Sequence, residues 1–265
     1  MKKRYNLYMI KTTEKTMTIL SVIADARYRP VTPKKIAEKA QITASACSHI
    51  LKTLLVNGYV EKVSHNAGYI LGPQTYYLTR FGKYEQDLIS ICRPVMNYLA
   101  QKTGDAVILA TIKNYKKFII ETIDPTHNTF KDYQQVREDS IYRTATGRLL
   151  LAHMDRWDLE EIYNHYGKPT KEDFWPSINS FNDFRNEISK INVRQIIKIE
   201  NIYKDICATG YALPLYRNKK CVAALGLSCI FPIENTESFL REEQALKNTF
   251  IKAVQVINGR IREKN

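Results

Sequence analysis

Apolar residues recur at helical spacing in short stretches near the start of the chain. Over residues 17–28 they fall three and four positions apart, which predicts an amphipathic helix that ends at Arg29-Pro30. The apolar residues of this helix are Met17, Leu20, Ile23 and Ala24. A second helix is predicted over 34–40, because Thr32 is a favourable N-cap and Pro33 is favourable at the first helical position.

The third helix, predicted over 44–57, has two chemically different faces. Thr43 caps it, and Gly58 follows its last residue, as is typical of a helix C-terminus. Its apolar stripe consists of Cys47, Ile50, Leu51 and Leu54. The opposite side carries small or polar side chains at helical spacing, namely Ser45, Ser48, His49 and Lys52. Such side chains can donate hydrogen bonds to phosphates and base edges while the helix sits deep in a groove.

A short hairpin is predicted directly after this helix. Residues 59–63 and 68–71 are strand-like, and the segment between them has the composition of a tight turn. Two helices joined by a tight turn and followed by a two-stranded wing form a winged helix-turn-helix, in which the second of the two helices enters the DNA major groove. The alternative interpretation of the third helix is a plain surface helix. The wing residues expected at the DNA backbone or minor groove are Lys62, His65 and Asn66.

The remaining two thirds of the chain alternate between helical and strand-like patterns. Residues 74–90 and 91–103 predict two amphipathic helices, and a long polar connection at 124–141 follows two predicted strands. Strands in two groups, with helices between and after them, predict an α+β fold whose antiparallel sheet is covered by helices. The other predicted helices span 144–153, 157–166, 181–191 and 238–261, and the predicted strands span 106–112, 117–123, 195–199, 211–216 and 221–230.

Composition and charge are those of a folded protein that attracts polyanions. The 265 residues are 44% apolar and 25% charged, with a formal net charge of +13. Residues 1–90 hold 14 Lys and Arg against 6 Asp and Glu, so most of the positive excess lies in the first third. Nucleic acid is the first candidate partner for such a block, and a solubilising surface is the alternative.

The sequence lacks the motifs that are typical of several cofactor, catalytic and metal sites. The glycine patterns of dinucleotide and P-loop sites are absent, as are a nucleophile elbow and the His-Glu-x-x-His metal motif. The five cysteines are odd in number and form no Cys-x-x-Cys pair, which disfavours a disulfide framework and favours a reducing cytoplasm. No apolar run approaches the length of a membrane span. We therefore expect a cytoplasmic protein with no cofactor, no metal and no membrane partner, and a binding function rather than catalysis.

In its motifs, the segment 16–73 resembles the DNA-binding domain of the IclR family of bacterial transcriptional regulators. The segments that carry the resemblance are "TMTILSVIA", "VTPKKIAEKAQITASACSHILKTLLVNGYVEK" and "GYILGP". The family has an arginine where this chain has His49, and Lys52 is the nearest substitute. Together with the pattern above, the resemblance implies that the DNA-contacting residues are Thr43, Ser45, Ala46, Ser48, His49, Lys52, Lys62, His65 and Asn66.

The second part of the chain is similar, more weakly, to the GAF-like effector-binding domain of the same family. The matching segments are "YRTATGRLLLA", "GYALPL" and "AALGLSC", which begin at residues 142, 210 and 223. The resemblance implies a small-molecule pocket in which backbone N–H groups at a helix start bind a carboxylate. Glycines replace a family cysteine and a family serine, so either the pocket is larger and more apolar or the glycines allow tight packing in the sheet. The implied pocket residues are Ala145, Thr146, Glu200, Gly210, Gly226 and Ser228.

The sequence as a whole predicts a two-domain, homodimeric or homotetrameric regulator that binds an operator in double-stranded DNA and responds to a small-molecule effector. The resemblance to this family favours a repressor over an activator. The predicted boundaries are a basic arm at 1–12, the winged helix-turn-helix at 13–73, a linker helix at 74–90 and the effector-binding domain at 91–265. Two alternatives remain: an enzyme whose catalytic C-terminal domain is tethered by the basic head, and an adaptor whose winged helix does not bind DNA.

Overall fold

The chain forms two compact units, residues 1–84 and 85–265, which we call the head and the C-terminal unit. The computed structural model describes residues 10–26, 29–64, 67–80, 85–125 and 141–264. Residues 1–9 of the predicted basic arm and residues 126–140 of the polar connection therefore lie outside the described residues, whereas Lys11 and Thr12 of the predicted arm belong to the first helix. Each unit has its own buried apolar cluster, as expected of a domain.

The head is a small helical unit with a β-hairpin. Two antiparallel strands follow the third helix, and Tyr69 in the second strand also bridges to Val31 through two backbone hydrogen bonds of 2.9 Å. The predicted helix-turn-helix with a two-stranded wing is thus confirmed as a fold. In chain order the head contains α1 (Lys11–Ala24), α2 (Pro33–Lys39), α3 (Ala44–Val56), β1 (Val60–Ser64), β2 (Gly68–Leu71) and α4 (Pro73–Thr79).

The buried face of α1 differs from the predicted one. Met17 is 58% exposed and Ala24 is also exposed, whereas Ile19, Val22 and Ile23 are buried. The predicted and the observed faces of this helix both carry apolar residues, so the periodicity of the sequence alone could not decide which of them is buried. The face that carries Ile19, Val22 and Ile23 is the one that packs into the head, and Leu20 is half-buried beside it.

The C-terminal unit is a five-stranded antiparallel sheet covered by helices. The strand order is β4-β3-β7-β6-β5, and every neighbouring pair runs antiparallel. The predicted α+β fold is confirmed. Its elements are α5 (Gln86–Thr103), β3 (Ala106–Lys113), β4 (Lys116–Ile123), α6 (Ala145–Ala152), α7 (Arg156–Tyr166), α8 (Phe181–Ser189), β5 (Ile197–Tyr203), β6 (Ile206–Arg217), β7 (Lys220–Pro232) and α9 (Thr236–Glu263).

The predicted linker helix over 74–90 is not one continuous helix. The helix α4 ends at Thr79, and α5 begins only at Gln86. Glu85, directly before α5, has a left-handed backbone with φ of 50°, which an α-helix cannot accommodate in its interior. Residues 86–90 of the predicted linker therefore form the start of a helix that belongs to the C-terminal unit.

The two faces of the sheet have different side chains and different covers. On the first face, which we call the α9 face, large residues such as Leu109, Tyr211 and Leu227 pack with α5 and α9. On the second, the α6 face, the strands contribute the small residues Ala110, Ala212 and Ala224. Small side chains let a helix approach a sheet closely, and α6 lies there.

The helix α6 is fixed in place by a polar anchor as well as by packing. The Arg148 guanidinium donates from Nε to the carbonyl of Tyr142 at 2.7 Å and from Nη2 to the carbonyl of Asp173 at 2.8 Å. It also lies 4.6 Å from the ring centre of Trp175, whose Nε1 donates to the same Tyr142 carbonyl at 2.6 Å. These contacts hold the segment just before α6 rigidly against the helix.

Close packing at the start of α6 predicts a large stability difference between two Gly→Ala variants. A Cβ at Gly147 would lie 2.0 Å from the carbonyl oxygen of Ile141, so Gly147→Ala should lower the free energy of unfolding by about 1–3 kcal/mol. Gly259, inside α9, has no heavy atom within 4 Å of its would-be Cβ, so Gly259→Ala should raise that free energy by about 0.5–1 kcal/mol.

Urea unfolding followed by tryptophan fluorescence measures both variants in the correct unit, because Trp157 and Trp175 are the protein's two tryptophans and both belong to the C-terminal unit. Equal behaviour of the two alanine variants would contradict the packing described for α6.

Candidate nucleic-acid interface and ligand pocket

The helix α3 is held in a fixed rotation by its apolar side. Cys47, Ile50, Leu51 and Leu54 are all buried, as the sequence predicted. The Thr43 hydroxyl accepts a hydrogen bond of 3.2 Å from the backbone N–H of Ala46, so Thr43 is the predicted N-cap. This cap fixes the first turn, and the buried stripe fixes the direction in which every other residue of α3 points.

The opposite side of α3 faces solvent. Ser45, Ser48, His49 and Lys52 are exposed, and Ala46 is half-buried at the start of the helix. There is no acidic residue in the first turn, so nothing on that turn repels a phosphate. Short hydroxyl side chains near the N-terminus, followed by an imidazole and an ammonium one and two turns later, give hydrogen-bond donors along one line of the helix.

The wing is pinned against the body of the head. A Cβ at Gly68 would lie 2.3 Å from the carbonyl oxygen of Val31, and Gly68 has a φ of 101°, so only glycine fits where β2 starts. Lys62 is exposed on β1 beside Tyr69 of β2. Ser64 ends β1 and accepts a hydrogen bond of 3.0 Å from the backbone N–H of Ala67. The two other predicted wing contacts, His65 and Asn66, lie outside the described residues.

Four of the predicted pocket residues meet where α6 begins. A Cβ at Gly226 would lie 2.5 Å from the Thr146 methyl carbon, and one at Gly210 would lie 3.6 Å from the Ala145 Cβ. The first two residues of α6 therefore rest directly on the β6 and β7 backbones. At Gly226 this agrees with the tight-packing alternative, because Thr146 already occupies the space that a serine side chain would need.

Two further predicted residues lie on different faces of the sheet. Ser228 pairs with Gly210 in the β6–β7 ladder, so its side chain is on the α6 face next to the start of that helix. Glu200 pairs with Thr209 and is on the α9 face, where it forms an ion pair of 3.0 Å with Lys198. The structure thus brings Ser228 together with the start of α6, but it does not bring Glu200 there.

Sequence reasoning missed two polar residues at the same place. Lys117 of β4 is only 2% exposed and donates from Nζ to the Thr144 hydroxyl at 2.7 Å. Asn201 of β5 donates from Nδ2 to the Arg143 carbonyl at 3.4 Å. Both contacts end on the two residues that precede α6. No motif marks either residue, and only the pairing of the strands places them near this helix.

A surface groove of about 510 Å³ lies between α5 and α9. Val95 and Ala253 line it, and Lys102, Lys252 and Arg260 give it positive charge. Because α5 and α9 cover the α9 face, this groove is separate from the predicted pocket on the α6 face.

Within the described residues, no helix is both long enough and apolar enough to span a membrane. In the same part of the chain, no group of three His, Cys, Asp or Glu side chains is placed to hold a metal ion.

Two family models match the chain, one in each unit. The IclR helix-turn-helix domain matches residues 12–64, and the C-terminal domain of the bacterial transcriptional regulator IclR matches residues 83–257. A curated relative, the HTH-type transcriptional regulator KdgR of Escherichia coli, is 23% identical over 252 residues, which cover 94% of this chain and 93% of that protein.

Solved structures show the same fold. An IclR homologue from Microbacterium hydrocarbonoxydans, solved in complex with 4-hydroxybenzoate, has a TM-score of 0.65 at 16% identity and covers 95% of this chain and 99% of its own. A putative IclR-type regulator from Silicibacter sp. has a TM-score of 0.64 at 17% identity, with 94% and 96% covered. The chain belongs to the IclR family of transcriptional regulators, with a helix-turn-helix DNA-binding domain and a C-terminal effector-binding domain.

Proposed function

We propose that this regulator is a repressor that binds a specific operator and whose DNA affinity changes when a small molecule binds at the start of α6. The observation that carries the proposal is the exposed polar face of α3, opposite a fully buried apolar stripe. A recognition helix needs such a face, because base edges and phosphates are read by hydrogen-bond donors that protrude from the protein surface.

In this proposal Ser45, Ser48 and His49 read base edges, while Lys52 and Lys62 contact phosphates. Hydroxyl and imidazole groups are short, so they reach a base only if the helix lies deep in the major groove. Lysine is a flexible point charge, which suits a phosphate contact better than a bidentate base contact. Thr43 and Ala46 bring the helix start close to the DNA backbone, where the positive end of the helix dipole favours a phosphate.

The protein acts as a homodimer or homotetramer in this proposal. Two heads related by twofold symmetry bind a near-palindromic operator whose half-sites lie about one helical turn, or roughly 34 Å, apart. The net charge of +13, most of it in the first 90 residues, strengthens association with any duplex, and the α3 face adds the sequence preference.

The proposed effector is a small carboxylate that binds on the α6 face. Backbone N–H groups of Ala145 and Thr146 at a helix start favour an anion, and the Ser228 hydroxyl lies on the same face beside Gly210. A structural neighbour binds 4-hydroxybenzoate, a molecule of this class. Coupling between two such sites is typically about 1–3 kcal/mol and is reciprocal, so operator DNA must change effector affinity by the same factor.

A first prediction concerns Lys52. If Lys52 contacts a phosphate, Lys52→Ala should weaken binding to every duplex and reduce the slope of log K against log salt by about one. The measurement is a salt titration by fluorescence anisotropy, on the duplex that the protein protects in a footprint of the DNA flanking its own gene.

Lys116→Ala is the matched control, because Lys116 is an exposed lysine of the C-terminal unit and its loss changes the net charge equally. An unchanged slope for Lys52→Ala, or an equal change in both variants, would remove Lys52 from the DNA contact.

A second prediction separates base reading from phosphate contact. Ser45→Ala and His49→Ala should each lower the ratio of operator affinity to random-duplex affinity. The loss of one base contact corresponds to about 1–3 kcal/mol of discrimination, and the slope of log K against log salt should change little. Competition binding with both duplexes at one salt concentration measures this ratio. Equal losses on operator and random DNA would contradict base reading, and a wild-type ratio near one would favour the adaptor alternative.

A third prediction concerns the ligand response. Ser228→Ala should leave operator affinity unchanged in the absence of ligand and should reduce the change that a ligand causes. Anisotropy titrations with 4-hydroxybenzoate, pyruvate and gluconate first identify which of them shifts wild-type affinity and then measure the same shift in the variant. A full response in Ser228→Ala would place the effector elsewhere.

A further inference from the structure

Among the residues that the structure describes, one buried cation in the C-terminal unit has no partner of opposite charge. Lys117 lies on the edge strand β4, opposite Ile112 of β3, and only 2% of its surface is exposed. Its ammonium has three N–H donors, and among the described residues its one acceptor is the Thr144 hydroxyl at 2.7 Å. Within the same residues it forms no ion pair, although buried lysines are rarely tolerated without one.

The position of this ammonium makes its positive charge more unfavourable. Thr144 is the N-cap of α6, and its hydroxyl accepts a hydrogen bond of 3.1 Å from the backbone N–H of Gly147. Lys117 therefore lies at the positive end of a helix, where the dipole repels a cation. Desolvation by burial lowers the pKa of Lys117 to about 8, so burial makes the charged form less favourable than it is for a lysine in water.

In the described part of the chain, a second polar group near this turn also has no partner. The side-chain oxygen of Asn201 is buried and, among the described residues, receives no hydrogen bond. Its amide nitrogen donates to the carbonyl of Arg143, the residue next to Thr144. Buried polar atoms are nearly always satisfied in folded proteins. An unsatisfied oxygen on a side chain that binds Arg143, together with a buried ammonium that binds Thr144, supports a polar ligand at this turn.

We propose that Lys117 is the counter-ion of a small carboxylate that binds at the first turn of α6, and that it makes this site select anions over neutral molecules. The proposal rests on the effector site described above and adds the residue that supplies its charge. A carboxylate beside Nζ offsets both the burial of the ammonium and its repulsion by the helix dipole. A ligand that also carries a hydroxyl group can donate to the free oxygen of Asn201.

The alternative role for Lys117 is purely structural. In that case its ammonium holds Thr144 in place, and removal of the ammonium weakens the fold. The two roles predict opposite signs for the same variant, because an uncompensated buried charge destabilises the free protein whereas a needed hydrogen bond stabilises it.

Lys117→Met tests the proposal, because methionine keeps most of the length and the apolar stem but has no charge. Lys116→Met is the matched control, since Lys116 is the neighbouring residue on β4 and is exposed. The first measurement is the thermal midpoint of the full chain without ligand at pH 7. We expect Lys117→Met to melt at a higher temperature than wild type, and Lys116→Met to melt at the wild-type temperature.

The second measurement repeats the melts with acetate, pyruvate, gluconate and 4-hydroxybenzoate, and with 4-hydroxybenzamide as the uncharged counterpart of the last. At least one carboxylate should raise the midpoint of wild type and of Lys116→Met, and 4-hydroxybenzamide should not. The same carboxylate should bind Lys117→Met at least about tenfold more weakly by calorimetry.

Three results would overturn the proposal: a lower midpoint for free Lys117→Met, an equal response of that variant to the carboxylate, or no response of wild type to any of the four acids. Its failure is distinct from that of the proposed function. If a carboxylate binds through Lys117 but leaves operator affinity unchanged, the effector role fails and the counter-ion role stands. If Lys117→Met keeps a full ligand response on DNA, the counter-ion role of Lys117 fails and the effector role stands.

Discussion

Burial of one side of α3 is the constraint on which the rest of the structure and the proposed function depend. The side chains of Ile50, Leu51 and Leu54 are each worth about 1.5–3 kcal/mol when fully buried, so the helix cannot rotate about its axis without losing its own contribution to the core of the head. Since an α-helix repeats every 3.6 residues, fixing this side also fixes the direction of Ser45, Ser48, His49 and Lys52. The polar face is exposed because the apolar face is required in the core.

The same reasoning applies to α6 in the C-terminal unit. Small residues of the sheet, with Gly226 the tightest contact, let the first turn of this helix lie directly on the strands, and the Arg148 anchor fixes the segment before it. If a carboxylate binds at this helix start, as we propose, it offsets the charge of Lys117 there.

Local patterns predicted most of the fold, because capping residues and apolar periodicity act over a few residues. Thr32 and Thr43 cap the helices that their position predicted, and the stripe of α3 is the predicted one. The buried face of α1 was predicted only in part: Ile23 is buried and Leu20 packs partly buried against the core, whereas Met17 and Ala24 are exposed. Glu85, directly before α5, is left-handed although it is not a glycine, so its own residue type gave no signal of the break; Gly82, three residues earlier in the sequence, was the available signal.

The proposed ligand site was less predictable, because the residues assigned to it lie on strands that are distant in sequence. The resemblance placed Glu200 in it, yet successive residues of a strand point to opposite faces, and Asn201 is the one that faces α6. Lys117 has the pattern of an ordinary edge-strand lysine until the sheet order sets β4 beside β3 and the loop residue Thr144 covers it. Residue type did not indicate which side chains lie near α6; the direction of each side chain in the folded sheet did.

Selection from a pool of random duplexes by the purified protein tests the central claim most directly, because it asks whether the exposed face of α3 reads sequence at all. The account predicts enrichment of a near-palindromic motif with two half-sites about one helical turn apart. A pool that stays random after repeated selection, at a salt concentration where binding is still detectable, would contradict it.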